Sequence, residues 1–406
     1  MKKINLESLL FSVILNAGLL SAIALGAFNI ESNANLIILI IEVFLMFAIV
    51  LKNRSKIVKG KLKINLLSLY ILFSILGLYF STYLKFGFTY YNLIQLCFYC
   101  IIPFFATKMD FKIEHVLKYN MIISFLCLIS MKSLFQYEYE GINQVSMGNA
   151  YSICIPVISA IMHFVFYRNN NHNKLFNLIY IYEGYLFVRL LMVANRGAIV
   201  ELLVTFILIY ISKFNGESEK KKVNWQYLAK IFFICFFAIF LIINLESILM
   251  SLYNFFNEVL KIDISFLKKS SLLISKDNLS NNRNDVYSIS FELIRNNFFT
   301  GHGIRTFLYY TGIPWPHNLF LQLLFDGGIL FSVMPFAIIL HFSYTVIFSK
   351  ARKKDTYISS LFIFLMVFPR LFISNDIWLT PYLWILISYG TKLLLIAKSI
   401  NLYNGG

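Results

Sequence analysis

Long apolar runs separated by short polar stretches recur along the chain from Leu9 to Ala397. Within each run the apolar residues are continuous rather than alternating, which is the pattern of an enclosed helix and not of a strand with one wet face. A helix of about 20 such residues spans the hydrocarbon of a bilayer, because every backbone group is bonded within it. Twelve runs are read: Leu9 to Phe28, Ala34 to Leu51, Ile64 to Leu84, Thr89 to Ala106, Tyr119 to Phe135, Ala150 to Tyr167, Leu175 to Val193, Ala198 to Ile211, Leu228 to Leu245, Leu319 to Phe348, Thr356 to Ile373 and Pro381 to Ala397. The eighth is short, and the tenth is long enough to begin outside the bilayer or to kink at Pro335. The expected fold is an all-α polytopic membrane protein of about 12 transmembrane helices.

Composition agrees. Of the 406 residues, 59% are apolar and 17% aromatic, and the mean hydropathy of +0.70 is too high for a chain that must clothe a surface in water. The net charge of +16 would suit nucleic acid, but its distribution requires no such partner. If the N-terminus is cytoplasmic, the basic clusters at Lys52 to Lys63, Lys108 to Lys118, Lys213 to Lys230 and Lys350 to Lys354 all fall inside, while the opposite short loops carry little beyond Lys85 and Arg196. This positive-inside bias puts both termini in the cytoplasm of a bacterial inner or plasma membrane. The five cysteines lie in apolar runs, so disulfides are not expected, and Cys97-x-x-Cys100 reads as packing. Leu9 to Phe28 resembles a signal peptide, yet removing it upsets the charge pattern, so it is read as the first span.

Residues 1–245 are expected to form spans one to nine, 246–316 a large extracytoplasmic loop, and 317–406 the last three spans. A long loop usually exists for function. Leu252 to Leu267 mixes apolar and charged residues as an amphipathic helix on the bilayer surface does. Asn282 followed by Asp285 reads as a capped helix start, with Val286, Ile289 and Leu293 as its apolar stripe. Arg283 then lies in the first turn, where free N–H groups already favour an anion. Gly301-His302-Gly303 forms a turn, and the chain re-enters the membrane after Pro314-Trp315-Pro316-His317-Asn318. Lys132, Arg189, Arg196 and Arg370 sit near outer helix ends, where an ionised side chain is a functional candidate or a snorkelling anchor. Arg189 and Arg196, seven residues apart, share a face if their helix continues. Glu42, Glu183 and Glu201 read as internal partners of such charges.

Arginine grips phosphate oxygens with a rigid fork, and a lipid diphosphate presents that anion where the membrane meets water. The chain has no G-x-x-x-x-G-K-[ST] loop, no H-E-x-x-H and no Cys/His cluster, so no nucleotide, metal or other cofactor is expected. A sugar joined to diphosphate is already activated. The protein needs only to stabilise the departing charge, align an acceptor hydroxyl and take its proton. His317 is the best-placed base and Asp326 a weaker one. His302 between glycines reads first as a turn residue.

Asn195-Arg196-Gly197-Ala198, then Arg283 with Tyr287, then Gly301-x-Gly303, then His317-Asn318 with Leu321, Leu324, Asp326 and Gly328, in that order, resemble the O-antigen ligase and Wzy-type polysaccharide polymerase superfamily. The motif-bearing part runs from Arg189 to Leu330. Departures include Tyr287 where the family often has tryptophan. The resemblance implies metal-independent, inverting glycosyl transfer from undecaprenyl diphosphate. Arg196 and Arg283 would hold the diphosphate and His317 would assist the acceptor, with Arg189, Arg305, Asn318, Gly301, Gly303, Tyr287, Asp326 and Arg370 binding substrate. It also implies chain-length regulator and flippase partners in the cell envelope. A repeat-unit polymerase is favoured by an AT-rich residue bias; a ligase keeps the donor and changes the acceptor. A flippase or secondary transporter would place charges near the midplane in repeated halves, and no repeat is seen.

Overall fold

A computed structural model describes residues 5–28, 34–52, 66–87, 94–130, 134–135, 137–139, 142–144, 146–168, 174–193, 196–217, 245–262, 264, 267, 283–348, 354–373 and 376–404. The ninth expected span, Lys132, Cys235, the Asn282 cap, most of the basic stretch from Lys52 to Lys63 and that beyond residue 217 lie outside the described residues.

The chain is helical: α1 (Leu6–Leu15), α2 (Ala17–Phe28), α3 (Ala34–Lys52), α4 (Leu66–Phe86), a π-turn Cys97–Ile101 leading into α5 (Ile102–Ala106), α6 (Ile113–Ser124), α7 (Met147–Tyr167), α8 (Lys174–Val193), α9 (Arg196–Glu217), α10 (Leu245–Asn254), α11 (Arg283–Asn296), α12 (Phe307–Thr311), α13 (Leu319–Phe348), α14 (Lys354–Ile373) and α15 (Tyr382–Asn404). One short antiparallel hairpin pairs Tyr137–Tyr139 with Ile142–Gln144. Among the described residues, Leu66–Phe86, Gly148–Tyr167 and Leu319–Val346 are long and apolar enough to cross a membrane, and the bent pair α1 and α2 adds a fourth crossing if it is one span. The protein is therefore a multi-pass membrane protein. The largest apolar cluster draws on α1, α6, α7, α9, α13, α14 and α15.

Three elements differ from the sequence reading, each for a local reason. The first span is not continuous: α1 and α2 meet at 67° around Asn16, whose amide donates to the Ser12 carbonyl and to Asn120 Oδ1, both at 2.8 Å. Asn120 passes the chain on to Ser159 Oγ at 2.9 Å, so a buried polar ladder fixes the bend. The expected surface helix Leu252 to Leu267 instead begins at Leu245 and ends in a π-turn, Phe255–Val259. It is stopped at Lys261, whose φ of 52° no helix accepts. The tenth span, finally, breaks at Gly328 (φ 61°, ψ −171°) and not at Pro335, which stays within helix.

That break organises the outer loop. A broken membrane helix exposes carbonyls on one side of the gap and amides on the other, and lipid can satisfy neither. Here Phe325 O and Asp326 O accept from the amides of His302 (2.7 Å) and Gly303 (2.9 Å), while the amides of Ile329 and Leu330 donate to Phe298 O (2.8 Å) and Phe299 O (3.3 Å). The strand-like exchange needs backbones closer than a side chain permits. A Cβ on Gly301 would sit 2.5 Å from Asp326 O, and one on Gly328 would sit 2.3 Å from Phe299 O. Val286, Ile294, Phe307, Leu321 and Phe325 form a small core beneath, joined by Tyr287, which fastens α11 and α12 to α13.

Candidate functional site

Helix α11 begins at Arg283 and turns Val286, Ser290 and Ile294 inward; of the expected stripe, Val286 is buried, whereas Ile289 is exposed. Arg283 is half-buried and lies within electrostatic reach of the Tyr151 hydroxyl. Tyr151 is in the second turn of α7, 2% exposed, and its buried hydroxyl takes no hydrogen bond among the described residues.

Tyr151 also adjoins Arg370, near the C-terminal end of α14, with no exposed surface. Its Nε donates to both oxygens of Glu201 (2.9 and 3.1 Å), and its Nη2 donates to Glu201 Oε1 (2.7 Å) and to the Tyr151 carbonyl (2.6 Å). The guanidinium also lies 4.5 Å from the ring centre of Tyr382 and 5.5 Å from that of Tyr151. Glu201 belongs to the second turn of α9, the helix that Arg196 opens. The pair thus clamps neighbouring ends of α7, α9, α14 and α15 together and spends most of the Arg370 fork on protein groups. Arg196 begins its helix, but its side chain lies outside the described residues. Arg189 packs its guanidinium 5.2 Å from the Phe135 ring centre, with a buried Nε that takes no hydrogen bond.

Other expected site residues have structural occupations. Gly301 and Gly303 fit the helix break described above, and a Cβ on Gly303 would meet Thr82 Oγ1 at 2.7 Å. Asn318 caps α13: its Oδ1 accepts from the amides of Phe320 (2.9 Å) and Leu321 (3.2 Å). Tyr287 packs in the small core. Asp326, 1% exposed, accepts the Trp378 indole N–H at 2.6 Å. His302 is stacked on Phe325 with ring centres 4.7 Å apart and bonds the Leu293 carbonyl at 2.8 Å, tying the end of α11 to α13. His317 is half-buried directly before α13, held at φ 55° with its ring 5.3 Å from Trp315. A non-glycine residue in that region is strained, a condition that persists where surrounding structure enforces it.

Arg305 belongs to a second cluster across the turn between α14 and α15. Its Nη1 donates to Gln95 Oε1 at 3.1 Å, and its Nε stands 3.4 Å from Asp376 Oδ2. Asp376 Oδ1 accepts from Gln322 Nε2 (2.6 Å) and from the Trp378 amide (2.9 Å). Burial pushes the Asp376 carboxyl above its ordinary range, opposed by these donors and by Arg305. Tyr151, Gln322, Asp376 and Trp378 were not singled out in the sequence. Asp376 offered a signal, being an acid in a short outer turn six residues after Arg370; Tyr151 is one aromatic among many in an apolar run.

The segment that carries Arg189, Arg283, His317 and the Gly328 break is the one that resembles a known family. Residues 184–336 match the family model described as O-antigen ligase. The O-antigen ligase and polymerase family to which this segment is similar consists of membrane enzymes of glycosyltransferase type acting on lipid-linked polysaccharide. The match crosses both expected boundaries, at 245 and 316, which fits a loop whose backbone completes a membrane helix. No curated protein gave a significant match to the chain.

Proposed function

We propose that the protein polymerises lipid-linked oligosaccharide repeat units at the outer face of a bacterial inner or plasma membrane. The growing glycan is the donor, held through undecaprenyl diphosphate, and an incoming lipid-linked repeat is the acceptor. The acceptor hydroxyl attacks the anomeric carbon from the face opposite the phosphate. The bond from that carbon to the diphosphate oxygen breaks, the configuration inverts, and the hydroxyl proton passes to His317. Arg283 and Arg196 neutralise the diphosphate as it leaves, with Arg189 beside them, and no cofactor takes part. The glycan grows at its reducing end. Chain-length regulator and flippase proteins are its expected neighbours.

The observation that carries this reading is the placement of Arg283, half-buried at the start of a helix packed on α13, within electrostatic reach of the buried Tyr151. A helix start and a half-buried arginine favour an anion there, and the family match supplies its class. The test is purified protein with a synthetic undecaprenyl-diphosphate repeat, with and without EDTA. Wild type is expected to form a polymer ladder in both conditions. Arg283→Ala and His317→Ala should each lower the rate about 100-fold or more, the usual scale for losing a transition-state charge or a general base. A ladder that disappears with EDTA would overturn the arginine-only mechanism.

The ligase reading is favoured by the description of the matching family itself. Cells lacking the protein separate the two: single repeats remain if a polymerase is lost, and full-length polymer stays on its carrier lipid if a ligase is lost.

A further inference from the structure

A cavity of about 230 Å³ opens between the C-terminal end of α4, the stretch before α5, the segment 304–309 and Trp378. Its walls combine the rings of Tyr79, Phe86, Tyr309 and Trp378 with the polar ends of Gln95 and Arg305. Tyr309, 72% exposed, is stacked on Phe86 with ring centres 5.3 Å apart, a platform that leaves one aromatic face open. The polar side is prearranged. Arg305 is tethered by Gln95 and Asp376, and Asp376 by Gln322 and Trp378. Arg305 holds this place at φ 58°, a backbone conformation that a non-glycine residue keeps only when its surroundings enforce it.

Charge decides what such a site accepts. The guanidinium of Arg305 faces the carboxyl of Asp376, so the cavity carries little of the excess positive charge that a phosphate needs. Flat aromatic faces beside amide and guanidinium donors suit a ligand with an apolar C–H face and a rim of hydroxyls, which is a sugar ring. The volume lies below the roughly 300–1,000 Å³ of sites for larger ligands, so one ring fits and a whole repeat unit does not. Gln322, which completes the network, lies in the first turn of α13, just after His317. We propose that this cavity is a neutral-sugar subsite seating one ring of the acceptor glycan, an assignment that rests on the polymerase reading above.

The test uses full-length protein in lipid nanodiscs and two probes: a soluble one-repeat oligosaccharide released from the cell's own polysaccharide, and undecaprenyl diphosphate without sugar. Gln95→Ala and Tyr309→Ala are expected to weaken oligosaccharide binding about tenfold, the scale of one lost hydrogen bond or stacking face. Both should bind undecaprenyl diphosphate as wild type does, and Arg283→Ala should show the reverse pattern. Tyr309 is exposed, so its variant keeps a folded reference. Wild type that binds the lipid diphosphate but not the oligosaccharide, or variants that bind the oligosaccharide unchanged, would overturn the subsite and leave the polymerase reading standing. Wild type that binds no lipid diphosphate and forms no ladder would remove the polymerase reading itself.

Discussion

A guanidinium with no exposed surface persists only where its charge is matched and its donors are taken. Arg370 has its charge matched by a partner 169 positions away, Glu201, which with the Tyr151 carbonyl takes its Nε and Nη2 donors, at a distance along the chain that no periodicity reveals. The sequence marks Arg370 as a charge at a helix end and Glu201 as some arginine's partner, but not which arginine. The start of α11 at Arg283 is a local feature, since a helix opening is written in neighbouring residues. Asn318 carries two signals at once: beside His317 it resembles a substrate ligand, and an asparagine before an apolar helix is also a cap. The buried pair makes a sharp prediction. Arg370→Met should destabilise the protein by about 3–5 kcal/mol, because Glu201 is left as an unmatched buried charge, whereas Glu201→Leu combined with Arg370→Met should recover most of that loss. Thermal unfolding followed by fluorescence-detected size exclusion measures both. A double variant as unstable as the single one would show that the charge imbalance is not what the single change exposes.

At the level of elements, the decisive feature is a helix that stops and restarts inside the apolar region. Proline is the stronger local signal for a kink, so Pro335 drew the expectation, but the residue that leaves helical conformation is Gly328. Its partner strand, Phe298 to Gly303, precedes it by some 25 residues in the long loop, and such pairing is fixed by tertiary fit rather than by local propensity. Gly301, Gly303 and Gly328 were visible as a motif; that they serve one another's backbones was not. Gly328→Ala places a Cβ 2.3 Å from Phe299 O at a φ of 61°, and backbone strain alone costs of order 1–3 kcal/mol. The variant should lose most folded protein at 37 °C. Gly184→Ala, with nothing within 4 Å, should be neutral or slightly stabilising. Equal yields of the two would mean that the loop and the helix break do not depend on close backbone approach.

Across the whole molecule, the described basic side chains form separate groups. Lys354 at the start of α14 bonds the Phe166 carbonyl at the end of α7, next to Arg168. Lys108, just after α5, lies beside Lys392 in the middle of α15, and burial and the repulsion from Lys392 bring the Lys108 ammonium down to about 8. Arg370 lies toward the opposite end of α14, and Arg283 is within electrostatic reach of Tyr151. The expectation of a basic cytoplasmic side came from loop charges alone, since the positive-inside bias needs only counting. The arginines were marked residue by residue, while their division into a clamp around Arg370 and a cavity around Arg305 depends on the α14–α15 turn and on Tyr151, which no pattern announces. If the basic end faces the cytoplasm, Asn284→Cys, exposed on α11, reacts in intact cells with a membrane-impermeant maleimide. Asp110→Cys, whose native side chain is 98% exposed at the Lys392 end, should react only after the membrane is opened, in a background where the native cysteines are removed. Labelling of both positions in intact cells, or of neither, would mean that the two ends do not lie on opposite sides of the bilayer; the Arg283 site would then lose the extracytoplasmic position on which transfer between lipid-carried glycans depends.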